Sequence, residues 1–305
     1  MAITRTDLAL ESMENLKNEK NFSSLHGVTV KESRRQGFPV TAIHITDPHS
    51  GRAIGKPVGH YATIDLRPYF RREEGFFPRA CRCIAHEVAA LLPADLRRGV
   101  LVAGLGNRGL TADAIGPLAL ENLLVTRHMV QGLPRQFRDF TPVAALSTGV
   151  LAQTGMETME LLQGAISSVQ PAAVIAIDAL AACDRSRLCA TVQLGDTGLV
   201  PGSGVGNHRK AVNENTLGVP VIAMGVPTVI EAAHLGAQKR EETLFLTPRD
   251  IDGKVRELSR LIGYGISLTL QRGLTVEDIT GLIGTKNAAG VPVAFSRCFT
   301  GSRLP

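Results

Sequence analysis

Tryptophan is absent from this 305-residue chain, and Phe (10) and Tyr (3) are sparse. Few rings are therefore on hand to stack on bases. The short basic clusters Arg34-Arg35, Arg71-Arg72 and Arg97-Arg98 have no aromatic interleaving. No nucleic-acid partner is expected from such a pattern. The net charge of +5 would equally suit an acidic protein partner. No apolar run approaches the ~18 residues that a spanning helix needs, so no membrane segment is expected. Arg5, Asp7 and Glu11 break up the beginning of the chain, which does not read as a secretory signal. Cysteine is also scarce. Its five copies are odd in number, Cys81 and Cys83 are too close to pair easily, and Cys183, Cys189 and Cys298 show no metal-ligand spacing. Reduced thiols of a cytoplasmic protein are expected rather than a disulfide frame or a zinc site. A linker rich in Pro, Ser or charge is missing too, as is any repeat, so a single unit with N-terminal additions is expected.

What is present is a rhythm of apolar segments. Leu8, Met13 and Leu16 mark a helix over Leu8–Lys20. A strand pair follows, Gly27–Arg34 and Phe38–Thr46 about the turn Gln36-Gly37. Asp47–Gly51 reads as a turn, Tyr61–Leu66 as a short strand, and Arg79–Leu92 as a helix stopped by Pro93. From Gly99 strands and helices alternate: strand Val100–Gly104, helix Asp113–Thr126, strand Val143–Ser147, helix Glu157–Val169 and strand Ala172–Ile177. Strand Leu188–Leu194 precedes a Gly-rich loop, and then come strand Val219–Val226, a short helix from Thr228, Leu244–Leu246 and helix Pro248–Gln271. This alternation predicts a three-layer α/β/α sandwich with a mostly parallel central sheet and N-terminal β-hairpin additions.

Two acids stand where packing explains them poorly. Asp113 follows the strand Val100–Gly104 and its glycine-rich turn, and Asp178 directly follows the apolar run Ala172–Ile177. Ligands of open α/β sheets bind at the carboxyl ends of strands. Two carboxylates facing one crevice could share a proton and activate water. Gly104-x-Gly106-x-x-Gly109 matches a dinucleotide-binding fingerprint. Against a bound nucleotide, the next strand ends in Ser147-Thr148-Gly149 with no acid for a ribose. Asp113 would also repel a pyrophosphate at the helix start. No cofactor is expected.

Other motifs carry less. His86-Glu87 begins like a zinc-protease helix but Ala90 stands where the second His belongs. Pro201-Gly202-Ser203-Gly204-Val205-Gly206-Asn207 lacks the spacing of a nucleophile elbow or a phosphate loop. His208 after it could complete an Asp–Asp–His metal site, or be a solvated loop histidine.

Longer segments resemble one family, the germination (spore) proteases. They include Arg5-Thr6-Asp7-Leu8-Ala9, Gly104-Leu105-Gly106-Asn107 with Thr111, Asp113-Ala114 and Gly116-Pro117, and Glu121 to His128. Further on are Gly155-Met156-Glu157-Thr158, Ala176 to Ala182, Asp196-Thr197-Gly198, Pro201 to Asn207 and Gly225 to Val229. The resemblance spans nearly the whole chain. It implies an atypical aspartic endopeptidase that degrades small acid-soluble spore proteins, with essential aspartates falling on Asp113 and Asp178. It further implies a fold like that of hydrogenase maturation proteases, no metal, a homotetramer, and a place in the spore interior. The loop departs from the family pattern at Arg108-Gly109 and Ala112. The family is made as a self-cleaved precursor and cuts between an acid and a large apolar residue followed by Ala. Asp7-Leu8-Ala9 fits that pattern, so residues 1–7 are expected to be a propeptide and residues 8–305 the peptidase. The rival readings are a metal-dependent peptidase using Asp113, Asp178 and His208, and a non-catalytic module that binds a nucleotide or protein.

Overall fold

The computed structural model describes residues 6–18, 25–206, 209–235 and 244–284. Nine strands among them form one sheet: β1 (Val28–Arg35), β2 (Phe38–Ile45), β3 (Gly59–Asp65), β4 (Val100–Leu105), β5 (Val143–Gly149), β6 (Ala173–Ala182), β7 (Thr191–Gly195), β8 (Val221–Glu231) and β9 (Phe245–Leu246). Their order is β1-β2-β3-β7-β8-β6-β4-β5, with β9 on the far end of β8. Strands β5, β4, β6 and β8 run parallel, each after a crossover. From β8 outward the pairing turns antiparallel, through β7 and β3 to the hairpin β2-β1. The N-terminal hairpin thus extends the central sheet.

Side-chain alternation builds the layers. Val100 and Val102 of β4, with Ala173, Ile175 and Ile177 of β6, join the larger core beneath the helices Phe76–Leu91, Ile115–Glu121 and Ile251–Leu270. Leu101, Ala103 and Leu105, with Val174 and Ala176, face the other side and pack with Leu162 of helix Thr158–Val169. Period-2 strands buried on both faces read as continuous apolar runs, which is why they stood out in the sequence. The stripe of the long helix is as expected: Val255, Leu258, Leu261 and Ile262 are buried. A third cluster joins helix Ala9–Asn18 to the hairpin through Ala9, Met13, Ile43, Ile45 and Ile54.

Several elements differ from expectation. Asp47 opens a helix, Pro48–Ile54, instead of a turn. Its carboxylate accepts the Ser50 N–H at 2.8 Å, Pro48 takes a first-turn place, and Gly55 ends the helix in the left-handed region. The single helix Asp113–Thr126 is instead a 3-10 turn, Thr111–Asp113, then a helix Ile115–Glu121, with another at Arg127–Gly132. Pro117 accounts for the late start, because a helix reaching back to Asp113 would press its ring on the Asp113 carbonyl. Strand β6 does not stop at Ile177 but continues to Ala182, paired with β8 from Asp178↔Gly225 to Ala182↔Ile230. For the same reason no helix begins at Thr228: β8 runs on to Glu231 as the partner of β6. Strand β7 starts only at Thr191, behind a turn capped by Asp184.

Candidate active site

Strand β4 pairs with β6 only as far as Gly104↔Ile177. Asp178 is therefore the first residue of β6 whose β4 side is free, although it sits mid-strand. Beyond Leu105 the chain turns at Gly106, whose φ of +104° suits glycine. A Cβ there would lie 2.1 Å from the Asp113 carbonyl oxygen, so only glycine lets the turn fold against Asp113. The Asn107 N–H donates to Asp113 Oδ2 at 2.7 Å. The Asn107 side-chain oxygen accepts from Gly109 N at 2.8 Å and Gln153 Nε2 at 2.7 Å. The Thr228 hydroxyl donates to the Ala112 carbonyl at 2.5 Å. The turn that carries Asp113 is thus fastened to β8 and to the segment after β5.

Asp113 and Asp178 line one cavity, together with Gly106, Leu180, Gly204 and Arg209. Arg209 lies 3.5 Å from Glu157 at its edge. Asp178 is 7% exposed, and among the described residues its Oδ1 accepts only the neighbouring Ala179 N–H, at 2.9 Å. Burial pushes its carboxyl well above the ordinary range, and the charge of Asp113 adds to the rise. Burial also raises Asp113, against the pull of the Asn107 N–H. Burial thus favours the protonated form of both carboxyls.

Asp7 lines the same cavity, and also a second one on the β7 side that Asp178 shares. It is tied at every polar atom. Its N–H donates to the Ala181 carbonyl at 3.0 Å. Its carboxylate accepts from Ala181 N at 2.8 Å and Ser203 Oγ at 2.7 Å. Its carbonyl accepts from Lys56 Nζ at 2.7 Å and Gln193 Nε2 at 2.9 Å. Leu8 is fully buried, and the Ala9 N–H donates to Gln193 Oε1 at 2.5 Å. The following helix is anchored by Glu11, which accepts from Cys183 N and Asp184 N, and by Glu14 paired with Arg187 at 2.6 Å. Lys56 is half-buried, and desolvation lowers its pKa against the raising influence of Asp7 and Glu11.

The structure brings together Asp113, Asp178 and Asp7, all read as site residues from the sequence. His208 lies outside the described residues. Among the described residues no group of three His, Cys, Asp or Glu side chains is placed to hold a metal ion. Cys81, Cys83, Cys183 and Cys189 are free thiols, and burial pushes those of Cys83 and Cys189 up to about 12; Cys298 lies outside the described residues. Lys56 and Gln193 carry no signal in the sequence. Ser203 stood within the noted glycine-rich loop, but nothing there linked it to Asp7, 196 positions away.

The germination protease family model matches residues 2–290. A germination protease of Caldanaerobacter subterraneus subsp. tengcongensis is 37% identical over 320 residues, spanning 92% of this chain and 98% of that one. One from Priestia megaterium is 36% identical over 309 residues, spanning 92% and 80%. The solved structure of a [NiFe] hydrogenase maturation protease HycI from Thermococcus kodakarensis KOD1 overlaps 59% of this chain and 98% of its own, with a TM-score of 0.36 and 17% identity. A family match over nearly the whole length, with relatives above one-third identity, settles the assignment: the chain belongs to the germination protease family and is a peptidase.

Proposed function

We propose that this peptidase hydrolyses peptide bonds with the Asp113–Asp178 pair, and that the Asp7–Leu8 bond of its own chain is its first substrate. The observation that carries the reading is the placing of both carboxylates on one cavity, each raised by burial and Asp178 raised further by Asp113. Asp178 then holds the shared proton and Asp113, stabilised by the Asn107 N–H, is the ionised partner. Asp113 takes a proton from water as the water oxygen bonds to the scissile carbonyl carbon. Asp178 hydrogen-bonds the carbonyl oxygen through its proton. As the C–N bond breaks, the amine nitrogen receives a proton from the pair, which again holds one.

The position of Asp7 supports self-processing: its carboxylate and its carbonyl are both gripped beside Asp178, and Leu8 is buried. Residues 1–7 then form a propeptide and residues 8–305 the mature peptidase. The family name and the resemblance support spore proteins, in particular the small acid-soluble ones, as later substrates during germination in the spore interior. The test is to incubate the full-length chain with a small acid-soluble spore protein and read the fragments by mass. Cuts between an acidic and a large apolar residue are expected; an intact substrate, or cuts elsewhere, contradicts the reading.

A further inference from the structure

The mechanism leaves four residues around Asp7 without a role: Lys56, Gln193, Ser203 and Gly204. The two oxygens of the Asp7 carboxylate meet only donors among its hydrogen-bond partners, the Ala181 N–H and the Ser203 hydroxyl. Gly204 makes the room. A Cβ at that position would lie 2.1 Å from Asp7 Oδ2 and 2.6 Å from the Ala181 Cβ. The loop Pro201–Gly206 therefore closes on the carboxylate at a distance that only glycine allows. Main-chain grip is separate. Lys56 and Gln193 hold the Asp7 carbonyl, a group that every residue offers, and Ala181 accepts the Asp7 N–H.

We infer that this cradle outlives the segment that fills it: once residues 1–7 leave, the Ala181 N–H, Ser203 and Gly204 form the subsite for an acidic side chain on the residue before the cut in protein substrates. Lys56 and Gln193 hold the carbonyl of that same residue. The inference rests on Asp7–Leu8 being the processed bond. Side-chain preference and main-chain grip fall on different residues, and this makes the cradle separable from the catalytic pair. Ser203 reads whether a carboxylate is present. Lys56 and Gln193 act alike on any substrate, and they hold the oxygen on which charge gathers as water adds.

The test is a double-mutant cycle. Full-length protein is incubated until its N-terminus stops changing, then given a synthetic peptide copying residues 2–14 or its Asp7→Ala version. Each peptide is also given to the Ser203→Ala and Gln193→Ala proteins. For the unsubstituted protein kcat/KM favours the Asp peptide. In Ser203→Ala that preference falls about tenfold, the worth of one hydrogen bond to a charged group, while the Ala peptide is cut as before. In Gln193→Ala both peptides slow by a similar factor and the preference stays. A Ser203→Ala protein that keeps the full preference, or slows both peptides equally, overturns the cradle and leaves the Asp113–Asp178 reading standing. Cleavage of the Asp peptide that persists in Asp113→Asn removes the catalytic pair, while the Ser203 cycle still decides the cradle. If the unsubstituted protein cuts neither peptide, both fall.

Discussion

In the proposed mechanism Asp178 is the residue on which the chemistry and the cost of the site meet. Buried beside Asp113, it keeps its proton to a pH well above the ordinary carboxylate value of 3.8. Above that value the unfolded chain releases a proton that the folded chain retains, so the site makes folding less favourable as pH rises through the raised range. Asn at this place carries no such penalty. We expect Asp178→Asn to melt at a higher temperature than the parent at neutral pH, with the gap narrowing as the pH approaches 3.8; calorimetry across pH reads this directly, and equal melting throughout contradicts a buried, proton-holding Asp178. This residue was legible because an acid directly after an apolar run is costly to bury and demands a reason. Asp113 was legible from its glycine turn. Lys56 and Gln193 were not, because their contacts with Asp7 bridge 49 and 186 positions and arise only when the hairpin half of the sheet folds against the parallel half. Ser203 was seen in its loop without its partner for the same reason.

At the scale of elements, the outcome turned on local punctuation that reads two ways. Asp47-Pro48 is a turn starter and equally an N-cap followed by a first-turn proline. The tertiary structure chooses the helix, since Ser50, Gly51 and Ile54 of Pro48–Ile54 are buried against the hairpin. Its C-terminal Gly55 then delivers Lys56 to the Asp7 carbonyl. Asp47→Ala should therefore destabilise the chain through the lost cap, measured by urea unfolding, and an unchanged midpoint would deny the cap its role. Pro117 was visible too, yet the apolar spacing around it suggested one long helix where a turn and a short helix stand. That break matters, because it leaves Asp113 in a 3-10 turn facing the cavity instead of inside a regular helix. Strand β6 was cut short in the reading because its apolar run ends at Ile177, whereas its pairing with β8 carries it five residues further.

For the whole molecule, the parallel half of the sheet was legible from strand–helix alternation, and the hairpin from its turn. Their union was not, because the antiparallel joint of β7 with β3 and β8 has no local signature. That union builds the site: β6 and the turn after β4 supply the two acids, while β7 and the segment before β3 hold the N-terminal residues against them. Leu8 is fully buried, so the bond proposed as the first substrate lies within the fold of the same chain. The central claim is that Asp113 and Asp178 cut that bond, and a time course of intact mass on the full-length protein and its Asp113→Asn and Asp178→Asn variants tests it most directly. The unsubstituted chain should shorten to begin at Leu8, at a rate independent of protein concentration, and each Asn variant should slow by at least about a thousandfold; an Asn variant that shortens at the parental rate would contradict the account.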